Sequence, residues 1–167
     1  SRNLSDSHRL KLKKMNKILI LGIGNYLMGD EGIGVHVAQR LEKKENPPYI
    51  DVLDGGTGGF YLMHYLESYE NIVIIDATLD DNPVGTIRKI TPKFSKDFPP
   101  AMSTHDIGLK DMVSALQLMD KMPNIQLFVV SIESIQQQGT QLTPKIENIV
   151  EELTQKVLEE AHNLAQQ

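Results

Sequence analysis

The sequence predicts an α/β fold, a three-layer α/β/α sandwich around a mostly parallel, twisted sheet of about five strands. Short apolar runs without a polar break are typical of strands that are covered on both faces. These runs alternate with segments whose apolar residues recur every three or four positions, which indicates helices. Because parallel strands need long crossover connections, an alternation of strands and helices favours a parallel sheet.

The predicted elements follow one another as strand, helix, strand, helix, strand, a weak edge or antiparallel strand, a long loop, helix, strand and closing helix. The predicted strands cover residues 18–21, 49–53, 72–75, 85–90 and 125–132. The apolar spacing of the predicted helices starts at Ile33, Phe60, Ile107 and Ile146. This order is that of a phosphorylase/hydrolase-like three-layer domain.

The chain is expected to hold one domain, over residues 15–167, because its composition shows no break. Residues 1–14 are polar and basic and have no period, which predicts a disordered or non-native leading segment. No apolar stretch approaches the roughly 20 residues of a membrane span, and the chain start lacks the apolar region of a signal peptide. We therefore expect a cytoplasmic protein without a membrane partner.

Charge and cysteine content exclude several kinds of function. The chain has 17 Lys and Arg against 22 Asp and Glu, a net charge of −5, which argues against a general nucleic-acid binder. It has no cysteine, which excludes disulfides, thiolate metal sites and a cysteine nucleophile. Any metal ion must therefore be held by nitrogen and oxygen atoms.

The run LGIGNYLMGDEGIGV, residues 21–35, joins the first strand to the first helix through a glycine-rich turn. It is not a dinucleotide-binding loop, because the sixth residue counted from Gly22 is Leu27 instead of glycine. It is not a phosphate-binding P-loop either, because Asp30 and Glu31 stand where lysine and a hydroxyl are needed. The simplest interpretation makes Asp30 the N-cap and Glu31 a first-turn acid, each contributing about 0.5–1 kcal/mol.

Other chemically active residues follow the predicted strands. Glu31 comes after the first strand, a glycine-rich loop over residues 54–59 follows the second, Asp76 ends the third, and His105 comes on the loop that precedes the next helix. Carboxyl ends of parallel strands meet at one edge, where open sheets bind ligands. Two carboxylates and one imidazole would form a three-ligand metal site with open positions.

Asp76 and His105 each have a simpler interpretation. Asp76 fits equally well as a cap of the neighbouring turn. His105 fits as a first-turn helix residue that is hydrogen-bonded to backbone. A helix N-terminus disfavours the imidazolium form, so it would keep His105 neutral and able to bind a metal.

Five motifs carry a resemblance to a known family. In order they are GIGNYLMGDEGIGVHVAQRL, DGGTGG, IVIIDA, MSTHDIGL and SIESIQQQGTQLTPKIENIV. From Met15 onward the chain resembles the nickel-iron hydrogenase maturation endopeptidases. The resemblance implies an enzyme that removes a C-terminal extension from the hydrogenase large-subunit precursor after nickel insertion. It also implies that Glu31, Asp76 and His105 contact the metal, and that nickel arrives bound to cysteines of the substrate.

The glycine-rich loop is the candidate substrate site. Gly55, Gly56 and Thr57 are predicted to let extended substrate backbone lie close to the chain. The sequence contains neither an HExxH helix nor a Ser-His-Asp set, so the general base is not assigned. Imidazole with two carboxylates also suits zinc, manganese, cobalt or copper, so other divalent metals are expected to bind in vitro.

Two alternative functions stay open from the sequence. One is a non-catalytic module on the same fold that binds metal or docks to a hydrogenase. The other is an esterase similar to peptidyl-tRNA hydrolase, whose opening also runs from a strand into Gly-x-Gly-Asn. The expected Asn-Pro-Gly is missing, because Asn25 is followed by Tyr26 and Leu27, and the acidic charge also argues against it.

Overall fold

A computed structural model describes residues 17–102, 108–134 and 136–167. Its strands are β1 (Ile18–Ile23), β2 (Ile50–Gly56), β3 (Asn71–Thr78), β4 (Ile87–Ile90) and β5 (Asn124–Ser131). Its α-helices are α1 (Ile33–Glu42), α2 (Leu62–Ser68), α3 (Leu109–Leu118), α4 (Pro144–Glu147) and α5 (Val150–Ala165). Two short 3₁₀ turns cover Gly29–Gly32 and Ser95–Asp97.

The five strands form one sheet in the order β2-β1-β3-β5-β4. The first four strands in this order run parallel, and β4 pairs antiparallel with β5. The inner strand β1 is buried at all six positions, as expected for a strand covered on both faces. The predicted α/β class, with a mostly parallel five-stranded sheet, is confirmed, and so is the weak antiparallel strand.

Alternate residues of the strands point to opposite faces, and each face has its own core. One core packs against α1 and α5 and includes Ile20, Val73, Val37 and Leu153. The other packs against α2 and α3 and includes Leu21, Ile74, Leu66 and Val113. The helices on both faces leave the two ends of the sheet open, so loops at the carboxyl ends of the strands are free to form a site. No described helix is long and apolar enough to cross a membrane.

The third strand is longer than predicted. The apolar run ends at Ile75, so the sequence placed Asp76 just beyond the strand, whereas β3 continues to Thr78. It continues because β5 supplies backbone partners as far as Ser131, and Asp76 is in register with Val129. A single buried acid does not end a strand whose ladder is complete on that side.

Two helices also differ from their predicted limits. The predicted closing helix is interrupted between α4 and α5. At this point Ile149 donates its N–H to the Ile146 carbonyl at 3.0 Å, three residues back instead of the four residues of an α-helix. The second helix begins at Leu62 instead of at Phe60. Phe60 therefore stays in the loop that follows β2, where it is exposed.

Candidate functional site at the carboxyl edge of the sheet

The first turn of α1 packs backbone against backbone on the ends of two strands. A Cβ atom on Gly34 would lie 2.2 Å from the Ile75 carbonyl oxygen and 2.5 Å from that of Ile23. A Cβ atom on Gly22 would lie 2.0 Å from the Gly34 carbonyl oxygen. Only glycine permits such approaches. The start of α1 is thus held directly against the carboxyl ends of β1 and β3.

Glu31 lies on the 3₁₀ turn that leads into α1. Its carbonyl oxygen would be 2.1 Å from a Cβ atom on Gly24, which has a φ of +146°. The turn therefore folds back onto the end of β1, and its backbone leaves no space for a side chain there. Glu31 itself is partly exposed. The glycine-rich turn thus holds the backbone of Glu31 at the carboxyl edge of the sheet.

Asp30 does not have the predicted capping role. Gly32 is the N-cap residue of α1. Neither the start of the 3₁₀ turn Gly29–Gly32 nor the start of α1 receives a capping hydrogen bond from a side chain. Asp30 is two residues too early in the chain to cap α1, because it lies inside the 3₁₀ turn Gly29–Gly32 that precedes the helix. Its side chain is completely buried, and its two carboxyl oxygens accept hydrogen bonds from the Thr143 backbone N–H at 2.8 Å and the Thr143 hydroxyl at 2.7 Å.

Asp76 is also completely buried, within β3. Its Oδ1 accepts a hydrogen bond from the backbone N–H of Ala77 at 2.7 Å, which fixes the orientation of the carboxyl group. The preceding residue, Ile75, is the one whose carbonyl contacts Gly34 at the start of α1. The structure therefore brings Asp76 and the turn that carries Glu31 to the same edge of the sheet.

The glycine-rich segment, predicted as a loop over residues 54–59, is in part the end of β2, which continues to Gly56, and it joins the same edge. The Gly56 carbonyl accepts a hydrogen bond from the Gly24 N–H at 2.8 Å, which ties this loop to the end of β1. Gly55 is buried, and a Cβ atom there would lie 2.8 Å from Cδ1 of Leu21. Gly56 has a φ of +53° with open space beside it, and Thr57 is exposed. Gly56 and Thr57 are thus open to solvent, whereas packing explains the glycine at position 55.

His105 lies outside the described residues. The chain before it is described as far as Met102, which forms an antiparallel bridge with Thr78. Next to this bridge, the Leu79 N–H donates to the Ala101 carbonyl at 2.9 Å. Over residues 17–102, 108–134 and 136–167, no three His, Asp or Glu side chains form a group that could hold a metal ion. The predicted contact of Glu31, Asp76 and His105 with a metal stays a prediction.

The histidine within α1 has a structural role. The ring of His36 packs on that of Tyr26, with 5.1 Å between their centroids. Burial, followed by the positive charge of Arg40, lowers the pKa of His36 below its ordinary value. His36, on α1, thus serves as a packing partner of Tyr26.

Exposed apolar side chains follow three of the parallel strands. Leu27, Phe60 and Leu79 come after β1, β2 and β3 and are 65%, 84% and 39% exposed. The sequence did not single out Leu27 or Leu79, and it placed Phe60 on a buried helix face.

Fold and site together define an open α/β protein whose carboxylates and glycine-rich loop meet at the carboxyl edge of a parallel sheet, the usual ligand position in such sheets. The model of the hydrogenase maturation protease family matches residues 35–160. The chain belongs to this family. It is 33% identical over 145 residues to the hydrogenase 2 maturation protease of Escherichia coli K12, which covers 85% of this chain and 88% of that protein.

Solved structures agree with this assignment. The hydrogenase maturating endopeptidase HybD from E. coli superposes with a TM-score of 0.79 at 32% identity, covering 88% of this chain and 93% of that one. The [NiFe] hydrogenase maturation protease HybD from Thermococcus kodakarensis gives 0.69 at 30% identity, covering 89% and 99%. The resemblance and the enzyme class inferred from the sequence are confirmed: the protein is a hydrogenase maturation endopeptidase. The peptidyl-tRNA hydrolase alternative is set aside.

The contact of α1 with the strand ends predicts a large effect of one added methyl group. Gly34→Ala should lower the free energy of unfolding by about 2–3 kcal/mol, because the new Cβ meets backbone oxygens that have no room to move aside. Helix propensity alone predicts the opposite, a gain of up to about 1 kcal/mol. Urea denaturation measures the difference, and a variant as stable as the parent would contradict the packing described.

Proposed function

We propose that this endopeptidase removes a C-terminal extension from the large-subunit precursor of a nickel-iron hydrogenase, and that it does so after nickel has been inserted. The observation that carries the proposal is the placement of Asp76 and the Glu31 turn at one edge, beside the glycine-rich loop. Nickel is part of the substrate in this scheme, held by cysteines of the precursor, and this chain has no cysteine of its own. A cytoplasmic location stays a prediction from the sequence.

The proposed metal contacts are Glu31, Asp76 and His105. Carboxylate oxygens with an imidazole nitrogen suit nickel and other first-row divalent ions. The bridge between Met102 and Thr78 supports the inclusion of His105. Thr78 is two residues after Asp76, so the bridge holds Met102, three residues before His105, near the end of β3. Three residues of extended chain reach about 10 Å from that bridge.

A metal ion bound there would polarise the scissile carbonyl or activate a water molecule. The chain's own residues have the task of holding the substrate's metal and the peptide in place. The Asp76 carboxyl is oriented by the Ala77 N–H, as second contacts commonly orient metal ligands. Glu31, being partly exposed, is accessible to an approaching partner. The general base is not assigned.

We further propose that an extended segment of the precursor lies along Gly55, Gly56 and Thr57. At this end of β2 the Gly55 carbonyl accepts a hydrogen bond from the Tyr61 hydroxyl at 2.7 Å and the Gly56 N–H donates to Oδ1 of Asp54 at 2.9 Å, so the proposed contact is close packing of backbones and not pairing of strands. The open space beside Gly56 supports close approach of another backbone. Phe60, four residues further on, offers apolar surface to the same segment.

The metal contacts predict a loss of processing. A nickel-loaded precursor and its apo form are incubated with each enzyme variant, and cleavage is followed as a loss of mass. Glu31→Gln, Asp76→Asn and His105→Ala should each slow cleavage of the nickel-loaded form by roughly 100-fold or more, since the loss of even an outer contact commonly costs 10–100-fold. The parent enzyme should leave the apo form uncut.

Glu42→Gln is the matched control, because Glu42 is an exposed acid at the far end of α1. It should cleave at the parent rate. A variant of the trio that also cleaves at the parent rate removes its residue from the site. Equal cleavage of nickel-loaded and apo precursor would refute the dependence on nickel.

The glycine-rich loop predicts an effect on substrate affinity. Gly56→Asn fills the open space while asparagine tolerates the left-handed φ of +53°, whereas valine would be strained there whatever it contacts. We expect KM for the nickel-loaded precursor to rise about tenfold, with little change in thermal stability. An unchanged KM in a stable variant would show that substrate backbone does not pass this residue.

The exposed aromatic ring predicts a second effect on affinity. Phe60→Ser should raise KM about tenfold and leave kcat and stability near the parent values, since the ring contacts solvent in the free enzyme. Leu118→Ser is the matched control: Leu118 is 90% exposed and ends α3, which leads to the amino end of β5 at the opposite edge. Equal KM values for the two variants would count against a docking role for Phe60.

A further inference from the structure

The loop between β5 and α4 is bonded to the turn that carries Glu31. Gln136 accepts a hydrogen bond from the Asp30 N–H through its Oε1 at 2.8 Å. Gly139 accepts one from the Gly29 N–H at 2.9 Å and donates its own N–H to the Leu27 carbonyl at 2.8 Å. Thr143 donates both its N–H and its hydroxyl to the Asp30 carboxyl. We call these four residues, Asp30, Gln136, Gly139 and Thr143, the Asp30 network.

The hydroxyl of Thr143 bonds to a distant part of the chain instead of capping the helix that follows it. Thr143 is the residue before α4, where a threonine side chain commonly caps the helix. Here it makes no cap bond to α4 and donates instead to Oδ2 of Asp30, 113 residues away in the chain. Gln136 is held in turn, since its Nε2 donates to the Glu133 carbonyl at 2.8 Å. Thr143 and Gln136 therefore both use their side chains to hold the turn that contains Asp30.

Burial makes the loss of any of these hydrogen bonds costly. Asp30 is completely buried, and hydrogen bonds are stronger in a low-dielectric interior than in water. Losing one donor leaves a buried oxygen without its bond, which is costly. Such hydrogen-bonded pairs add little net stability, because replacing both partners by apolar groups of the same shape can be nearly neutral. Their other effect is to fix geometry.

What the network fixes is the backbone next to Glu31. Gly29 and Asp30 are bonded to the loop directly, and they immediately precede Glu31. The Glu31 N–H itself makes only a longer bond of 3.2 Å, to the Met28 carbonyl. The position of its partly exposed side chain therefore depends on its neighbours.

We propose that Asp30 is a positioning residue, which together with Thr143 and Gln136 holds the turn so that Glu31 presents its carboxylate to the substrate's metal. This inference rests on the role proposed for Glu31. Displacing a contact by about 1 Å costs up to about 100-fold in rate, so loosening the turn should act on cleavage more strongly than on folding.

The test replaces the hydroxyl alone. Thr143→Val keeps the backbone N–H and the side-chain shape but removes the donor to Oδ2 of Asp30. It should lower kcat for the nickel-loaded precursor by 10- to 100-fold and speed amide hydrogen exchange at Asp30 and Glu31. Thr143→Ser restores the donor and should restore both readouts.

Thr154→Val is the matched control. Thr154 is buried in α5, and its hydroxyl donates to the Val150 carbonyl at 2.7 Å, within the same helix. This variant should lose stability while kcat and the exchange of the Glu31 amide stay at parent values. Where Thr143→Val does not fold, Gln136→Leu removes the acceptor of the Asp30 N–H and is judged by the same two readouts.

Each outcome decides the question. Parent-level kcat and exchange in Thr143→Val would overturn the positioning role, and so would a Thr143→Ser variant as slow as Thr143→Val. A fall in kcat in Thr154→Val that matches that of Thr143→Val would assign the effect to general destabilisation. Full processing by Glu31→Gln would instead refute the proposed function of Glu31, whatever the Thr143 variants do.

Discussion

The carboxyl edge of this sheet depends on direct backbone contact between α1 and the ends of β1 and β3. Gly22 and Gly34 allow that contact, because a side chain at either position would overlap a backbone oxygen. The contact brings the N-terminal end of α1, where the helix dipole favours negative charge, next to the part of β3 that contains Asp76. The same approach determines where the preceding turn must run, and hence where Glu31 lies.

Two adjacent acids have opposite environments as a result. Asp30 is completely buried and accepts two hydrogen bonds from Thr143, whereas Glu31 is partly exposed at the edge. The 3₁₀ geometry separates them, since successive residues of such a turn point in different directions. The GDEG sequence therefore combines a residue that anchors the turn with one that is free to contact a partner.

Local sequence signals predicted most of the fold and only part of the site. The apolar period located β1, α1 and β5, because burial on both faces leaves a clear pattern. The end of β3 was misplaced, because the extent of a strand depends on its neighbour and not on Asp76. The capping role given to Asp30 was wrong for a related reason: its partner, Thr143, is 113 residues away and no local rule connects them.

The proposed protein substrate would make two kinds of contact at this edge, which differ in how much they depend on its sequence. Close approach of main chains in the open space beside Gly56 depends little on the partner's sequence. The exposed Leu27, Phe60 and Leu79 add apolar contacts that depend on the partner's own surface. Their loops follow three neighbouring strands, so the three side chains lie at the same edge of the sheet as Asp76 and the Glu31 turn. Under the proposed function, changes in these loops would alter selectivity among precursors without disturbing the glycine contacts beneath them.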